Sequence, residues 1–280
     1  MKNLIAYAVA GSIEYLECVL LSIKSVKHAT TDEIDFLILC DNNIFEQSRT
    51  HQIPNVTYWC VSDVPNTPYA CFLYRFRIFD AYPRLHEYDM MMYLDADILV
   101  YLDVNALFAS TKRLFPSFKG IHVNKDRDKV EHHHCIWYSS FGAYVPSDIE
   151  YFEKHQIYPF CSGTWITKVS KEMCQHMMNV YETLITKPLI LTDQPYVNEY
   201  FNTRNLTNQH IFLDNYIVFP SMNEHCEYQF DKTDKIVHFT GAPGTGNRKL
   251  DVMRKAWAIN TGAINTGAIN TVAINTVAII

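Results

Sequence analysis

Two aspartates, Asp95 and Asp97, directly follow the apolar run 90–94. A buried strand that ends at charged residues is typical of open α/β sheets, which bind ligands at the carboxyl ends of their parallel strands. Two carboxylates one residue apart repel each other, and a hard divalent cation is the common reason for placing them together. Mn²⁺ or Mg²⁺ held in this way usually carries a diphosphate. The same pattern also fits a strand cap and a solvated turn, so other parts of the chain must decide.

A late histidine could complete such a site. His238 lies between a terminal apolar run and a glycine-rich segment, where it is either a metal ligand or a hydrogen-bonded core residue. Lys249 could reach a phosphate as a mobile charge, although Arg248 competes for that role. Near the N-terminus, Ser12 could cap the first helix where free amides face an anion. The glycines that leave backbone amides free to approach phosphate are Gly241, Gly244 and Gly246.

The elements that must position these residues follow from the hydrophobic pattern. Apolar runs alternate with helical stretches, which predicts a doubly wound, mostly parallel sheet in a single Rossmann-like α/β domain. The predicted strands are 4–9, 34–39, 56–60 and 90–94, and the predicted helices are 13–26, 43–51 and 69–82.

The pattern is less regular after the acid pair. A late helix is predicted with Thr192 as its cap and Pro195 in its first turn. The domain is placed at 1–257, and an Ala-Ile-Asn-Thr-Gly/Val repeat at 258–280 is expected to be a frayed or weakly helical tail. The other predictions are a short helix at 103–108, an exposed loop at 122–135, a strand within 158–166, a helix over 170–185 and a last strand at 236–239.

The composition predicts a globular protein without a nucleic-acid partner. The 280 residues are 48% hydrophobic and 14% aromatic, which is enough to fill a substantial core. The formal net charge is −6, and no run of lysine and arginine suggests a groove for a polyanion. The eight cysteines are scattered without Cys-x-x-Cys spacing, so we interpret them as reduced. The apolar part of the N-terminus is too short for a transmembrane segment, and we expect a cytoplasmic protein.

Taken in order, the motifs resemble those of nucleotide-sugar glycosyltransferases of the A-type fold. They are most similar to glycosyltransferase family 8, which includes glycogenin and bacterial lipopolysaccharide galactosyl- and glucosyltransferases. The chain departs from the family at Cys161, where asparagine is usual, and before Lys249, where the family has a shorter gap after the glycine and then Pro-Trp. The motifs that carry the resemblance are Arg75-Phe-Arg77-Ile-Phe-Asp80, Tyr93-Leu-Asp-Ala-Asp-Ile-Leu99, Phe160-Cys-Ser-Gly163, Asp193-Gln194 and His238-Phe-Thr-Gly241.

The resemblance implies a metal centre and a donor site. Asp97 and His238 would bind Mn²⁺ (or Mg²⁺) directly, and Asp95 would bind the metal or the ribose hydroxyls. Asp193 would accept hydrogen bonds from the donor sugar, and Gln194 would lie beneath its anomeric carbon. The residues expected around the donor nucleotide, with uracil as its base, are Tyr7, Ala8, Ser12, Arg75, Asp95, Ala96, Gly163, Gly241 and Lys249.

Arg77 is expected to act with Asp193 and Gln194 in catalysis, whereas Arg75 is expected to contact the donor. Arg75 and Arg77 lie two residues apart, so they point to different sides of a helix. The spacing of Arg77 before the acid pair fits the family arginine better. A surface ion pair of Arg77 with Asp80 or Glu87 is equally compatible with the sequence.

The function that the resemblance implies is metal-dependent transfer of a hexose from a UDP-sugar to an acceptor hydroxyl, with retention of anomeric configuration. The acceptor could be a glycan, a lipid or a protein, and the chain could form homo-oligomers. One alternative is a non-catalytic relative that binds a nucleotide-sugar or carbohydrate. A second is a haloacid-dehalogenase-type phosphatase, but such enzymes place Gly-Thr or a similar hydroxyl after the acids, where this chain has Ile98-Leu99.

Overall fold

The computed structural model describes residues 2–64, 70–125, 146–155, 157–186, 193–208, 213–222, 228–229, 231–240 and 246–263. The elements of the first half confirm the predicted alternation of strands and helices, with ends that differ by a few residues. They are β1 (Asn3–Val9), α1 (Ile13–Ala29), β2 (Asp35–Cys40), α2 (Asn42–Ser48), β3 (Val56–Cys60), α3 (Ala70–Ala81) and β4 (Met90–Leu94).

The second half contains the long strand β7 (Phe160–Lys168), several strands of two to five residues, and five α-helices within the described ranges. They are β5 (Ile98–Val100), α4 (Val104–Leu114), β6 (Ile121–Lys125), α5 (Pro146–Lys154), β7 (Phe160–Lys168), α6 (Lys171–Ile185), α7 (Gln194–Thr203), β8 (Thr207–Asn208), β9 (Ile217–Val218), β10 (Ser221–Met222), β11 (Tyr228–Gln229), β12 (Ile236–His238) and α8 (Gly246–Asn260).

The helices begin where short polar side chains can accept hydrogen bonds from free backbone amides. Ser12 Oγ accepts from the Glu14 amide at 3.3 Å, and the Asp103 carboxylate accepts from the Asn105 amide at 2.9 Å. Ser170 caps α6 in the same way. Thr192, the predicted cap of α7, lies outside the described residues, and Asp193 directly precedes that helix. These caps satisfy amides that have no partner within the helix.

The central sheet has seven strands in the order β3-β2-β1-β4-β7-β6-β8. Strands β1 to β4 run parallel, whereas β7 runs antiparallel to both β4 and β6. The predicted mostly parallel sheet is therefore confirmed. The antiparallel direction of β7 has one important effect, because the beginning of β7 then lies beside the carboxyl end of β4. Register pairs Leu94 with Thr164 at this edge.

A small three-stranded sheet brings the late histidine to the same edge. Its order is β5-β12-β9, and β5 begins directly after Asp97. Strand β12 runs antiparallel to β5, with His238 paired to Ile98. The amide of Phe239 donates to the carbonyl oxygen of Asp97 at 3.0 Å. Residues far apart in sequence therefore meet because of strand register.

Apolar side chains cover both faces of the central sheet. One buried cluster packs helices α3, α6 and α7 on one face, and a second packs α1, α2 and α4 on the other. A third cluster joins α1, α8 and the small sheet. Within the described ranges, no helix combines the length and the apolar character needed to cross a bilayer.

The predicted exposed loop at 122–135 is wrong at its beginning. Residues 121–125 form strand β6, which pairs with β7 and β8. The sequence looks like a loop because His122 and Asn124 are polar, yet both are buried. Asn208 Nδ2 lies 3.0 Å from His122 Nδ1, and this hydrogen bond offsets the cost of burying the imidazole. The remaining residues of the predicted loop lie outside the described ranges.

The predicted boundary between residues 257 and 258 falls within helix α8, which ends at Asn260. Trp257 stacks on Tyr101 with their ring centroids 6.2 Å apart, so the end of this helix packs on the domain. Most of the predicted repeat tail, residues 264–280, lies outside the described ranges.

Candidate metal centre

Asp95, Asp97 and His238 form a cluster in which one ligand atom of each residue lies within 4.8 Å of the others. His238 Nε2 is 3.3 Å from Asp97 Oδ1 and 3.9 Å from Asp95 Oδ2. The acids come from the turn between β4 and β5, and the histidine ends β12. Two carboxylate oxygens and an imidazole nitrogen are a donor set that suits Mn²⁺.

Gly163 on β7 lies directly against the side chains of Asp95 and His238. A Cβ atom at this position would lie 2.4 Å from Asp95 Oδ2 and 2.5 Å from His238 Cε1. The amide of Asp95 also donates to the Gly163 carbonyl oxygen at 2.8 Å. The absence of a side chain therefore lets both candidate ligands approach the backbone of β7, and the site residues fit a bound cation.

The second oxygen of Asp95 is held from the opposite side. Asp95 Oδ1 accepts a hydrogen bond from Tyr93 Oη at 2.9 Å and pairs with Arg75 Nη2 at 3.2 Å. Burial raises the pKa of Tyr93 well above its ordinary value, so the phenol remains a donor. The guanidinium of Arg75 lies over the Tyr93 ring, 5.0 Å from its centroid. Asp95 is thereby oriented with Oδ2 toward His238.

Arg75 connects the acid pair to the start of α7. Its Nη1 donates to the carbonyl oxygen of Ser162 at 2.8 Å, and its Nε lies 3.6 Å from Asp193 Oδ2. Asp193 is fully buried, and its side chain makes no cap hydrogen bond to α7. A buried carboxylate is costly without a cation, and the Arg75 guanidinium supplies one.

Gln194 lies beside Asp193 and is also buried. Its Oε1 accepts from the amide of Ser162 at 3.2 Å. One turn later, the Asn198 side chain accepts from the Phe160 amide at 2.7 Å and donates to the Phe160 carbonyl oxygen at 2.9 Å. These bonds fix the beginning of α7 against the beginning of β7, so Asp193 and Gln194 share the edge that carries the acid pair.

Lys249 reaches the cluster from the first turn of α8 and forms an ion pair with Asp97. Burial acts to raise the pKa of Asp97, but the charges of Lys249 and His238 offset burial and hold that pKa well below its ordinary value. Burial acts to lower the pKa of Lys249, and Asp97 instead keeps it above its usual range. Asp97 is therefore ionised and Lys249 charged at neutral pH.

The structure brings Arg75, and not Arg77, to the acid pair. Arg77 instead pairs with Asp80 at 2.9 Å and Asp63 at 2.8 Å and lies over the ring of Tyr181. This arrangement includes the ion pair with Asp80 that the sequence left as an alternative. The Arg77 side chain faces α6 and the loop after β3, so the catalytic role expected of this arginine stays a prediction.

The structure also locates the residues near the N-terminus that are expected to contact the donor nucleotide. Tyr7 is fully buried and shares a hydrogen bond of 3.0 Å with Ser22 on α1, so its side chain packs in the core. Ala8 lies on the opposite face of β1 and is half-buried. The amide of Gly11, beside the capping Ser12, is occupied by Asp41 Oδ2 at 2.7 Å. A carboxylate at this turn disfavours a phosphate there.

Some of the other residues expected to contact the donor nucleotide lie within the described ranges. Ala96 lies between the two acids and is half-buried. Gly241 and Gly244 lie outside the described residues, and Gly246 begins α8.

Sequence reasoning missed two contacts of the cluster. Tyr93 lies two residues before Asp95, so the period of a strand places both on one face, and this signal could have found it. Cys161 lies against His238, with Sγ 3.5 Å from Nδ1. This contact joins β7 to β12, and no local pattern in the sequence indicates it.

No protein-family model and no curated protein matches the sequence. Solved structures do match. The galactosyltransferase LgtC, in complex with donor and acceptor sugar analogues, has a TM-score of 0.56 and 14% identity, with 90% of this chain and 95% of LgtC covered. A mouse xyloside xylosyltransferase 1 structure has a TM-score of 0.53 and 8% identity, with 88% and 100% covered.

A third structure, the bifunctional glycosyltransferase WbbM, has a TM-score of 0.56 and 15% identity. The match covers 86% of this chain but 46% of WbbM. At these identities the likeness concerns the fold. This chain has the A-type fold of glycosyltransferases, as shown by its central sheet, the acid pair at the carboxyl edge of that sheet, and its structural neighbours.

Proposed function

We propose that this protein is a metal-dependent glycosyltransferase that moves a hexose from a UDP-sugar to an acceptor hydroxyl. The observation that carries the proposal is the convergence of Asp95, Asp97 and His238 at the carboxyl edge of the sheet. Arg75 links this cluster to Asp193, so candidate metal and sugar contacts form one continuous site. A cation bound by the three residues would neutralise charge on the diphosphate leaving group.

The residues around the cluster have separate tasks in this proposal. Lys249 is charged, and the ammonium group at the end of its flexible side chain pairs with Asp97. When a cation takes the place of this ammonium group at Asp97, the lysine side chain can turn toward a diphosphate. Arg75 holds Asp193 in place to accept hydrogen bonds from hydroxyls of the donor sugar. Gln194 is held by Ser162 with its amide at the same edge.

Retention of configuration is part of the proposal and is supported by the resemblance to family 8. An amide such as Gln194 is a poor nucleophile, and the carboxylate of Asp193 is engaged by Arg75. Attack by the acceptor on the face that the diphosphate leaves, with the departing phosphate taking the acceptor proton, needs no protein nucleophile.

A second candidate is a relative that binds a nucleotide-sugar without turning it over. One observation favours it, namely that Lys249 already neutralises Asp97. Under this alternative the protein would bind UDP without Mn²⁺ and would release no UDP from any UDP-sugar.

A thermal-shift panel with UDP and several UDP-sugars, each with and without Mn²⁺, separates the two candidates. A ligand at 100 times its dissociation constant stabilises the folded state by about 2.7 kcal/mol. We expect Mn²⁺-dependent stabilisation by UDP and slow UDP release from one UDP-sugar. No shift with any nucleotide and no UDP release would refute the proposed function.

The variant Asp97→Asn tests the cluster directly. We expect it to lose at least about 100-fold in UDP release, as a loss of one charged ligand implies. Asp89→Asn is the matched control, since Asp89 precedes the same strand at its other end and accepts from the Lys2 amide. The control should retain wild-type activity.

A further inference from the structure

Cys161 contacts His238, the candidate metal ligand that follows the acid pair by about 140 residues in the sequence. Its Sγ lies 3.5 Å from His238 Nδ1. Both residues are buried, with 4% of Cys161 and 2% of His238 exposed. Cys161 lies two residues before Gly163 on β7, so the thiol and the glycine occupy the same face of that strand.

The imidazole of His238 lies along this face of β7. Nδ1 is next to Cys161, Cε1 lies over Gly163, and Nε2 points to Asp97 at 3.3 Å. The Phe219 ring packs near the imidazole, with centroids 5.6 Å apart, but it offers no hydrogen-bond acceptor in the ring plane. Among the described residues, Cys161 is therefore the hydrogen-bonding partner of Nδ1.

The contact between Cys161 and Nδ1 matters because a histidine that binds a metal must place its remaining ring proton. An imidazole that binds a cation through Nε2 carries its proton on Nδ1. A buried N–H needs an acceptor, and the atom that accepts also fixes the rotation of the ring. Sulfur is a weak acceptor, yet in the described part of the structure it is the one placed to receive this proton.

We infer that Cys161 is a positioning residue for metal binding. Its Sγ accepts the hydrogen bond from Nδ1, which holds His238 in the tautomer and orientation that present Nε2 to the cation. The inference rests on the metal site of the proposed function. It goes beyond that function because it assigns a role to the position where this chain departs from its family.

The test measures Mn²⁺ affinity without nucleotide or turnover. Free Mn²⁺ is titrated by its electron paramagnetic resonance signal against wild type, Cys161→Ala, Cys161→Asn and Cys40→Ala. Loss of a hydrogen-bond partner of a metal ligand typically weakens affinity about 10- to 100-fold. We expect that loss for Cys161→Ala. Cys161→Asn should restore affinity to within about threefold, because its side-chain oxygen can accept from Nδ1.

Cys40→Ala is the matched control. Cys40 is also a buried strand cysteine, but its thiol contacts the Trp59 carbonyl oxygen, 3.8 Å away, on β3. Its removal should leave Mn²⁺ affinity unchanged. Melting of the metal-free proteins checks that each variant is folded. If Cys161→Ala does not fold, Cys161→Val fills the space of the thiol without an acceptor and replaces it.

The outcomes are distinct. If folded wild type binds no Mn²⁺, the metal site of the proposed function is overturned, and this inference with it. If wild type binds and Cys161→Ala binds equally well, the metal site stands and the positioning role is overturned. If Cys161→Ala is weakened but Cys161→Asn does not recover, the loss comes from packing and the hydrogen-bond role is overturned.

Discussion

Replacing Gly163 by alanine should impair the site while the protein still folds. The new Cβ would lie 2.4 Å from Asp95 Oδ2 and 2.5 Å from His238 Cε1. Each neighbour must therefore recede by about 1 Å to reach an ordinary contact, and a displacement of about 1 Å in a binding constellation can cost about 100-fold. Because these neighbours are ends of side chains, overpacking should destabilise the protein by only about 1–3 kcal/mol.

Gly120→Ala is the comparison that separates the two effects. Its Cβ would lie 2.0 Å from the backbone carbonyl oxygen of Leu206, which accepts from the Ile121 amide where β6 meets β8. Backbone cannot move as cheaply as a side chain end, so we expect more than about 3 kcal/mol of destabilisation. The Mn²⁺ affinity of the molecules that remain folded should match wild type.

The assays are urea unfolding for stability and Mn²⁺ titration for affinity, each corrected for the folded fraction. We expect Gly163→Ala to bind Mn²⁺ more weakly and to lose less stability than Gly120→Ala. We expect Gly120→Ala to lose more of its free energy of unfolding and to keep the Mn²⁺ affinity of wild type. Wild-type Mn²⁺ affinity in Gly163→Ala would refute the reasoning that the backbone of β7 sets the positions of Asp95 and His238.

The other predictions concern the two arginines, a buried histidine and a helix cap. Arg75→Met should abolish UDP release, whereas Arg77→Met should keep the catalytic rate and lose only stability; equal rates for the two variants would contradict the placement of Arg75. Burial lowers the pKa of His122 to about 4 from its ordinary 6.5. Because the unfolded state then binds the proton more tightly, stability should fall as pH drops from 7 through 6.5 toward 4, by about 2 kcal/mol at pH 5. Urea unfolding of His122→Gln should show a correspondingly smaller loss over that range, and an identical pH profile would refute this linkage. Asp103→Ala should cost about 1 kcal/mol in the same assay, with Mn²⁺ affinity unchanged.

The features that the sequence predicts well are local. The acid pair after β4 follows from a contiguous apolar run, and the parallel order of the first strands follows from their alternation with helices. His238 could be identified because it ends a short apolar strand that precedes a glycine-rich segment. Each of these features is encoded within a few neighbouring residues.

Neighbouring residues in the sequence do not show which of Arg75 and Arg77 reaches the acid pair. Two residues on a helix differ by about 200° in direction, so the rotation of α3 on the sheet decides which one reaches the acids. That rotation depends on packing against α6 and β1. The same limit applies to Tyr7 and Ala8, since consecutive strand residues face opposite sides and only the completed layers show which side holds α1.

Strand β6 shows a third limit. Its polar residues predict a loop, and the partner that makes burial of His122 tolerable is Asn208, far away in sequence. The contact of Cys161 with His238 is of the same kind. Such pairs are visible only after the sheet has brought distant strands together.

The position of β12 has a consequence for the order in which the protein matures during synthesis. This strand lies between β5 and β9 in the small sheet, and its last residue is His238. The acid pair leaves the ribosome long before the histidine and Lys249 do, so a nascent chain carries two neighbouring carboxylates without either late partner. Cation capture through all three residues is therefore possible only after β12 has inserted.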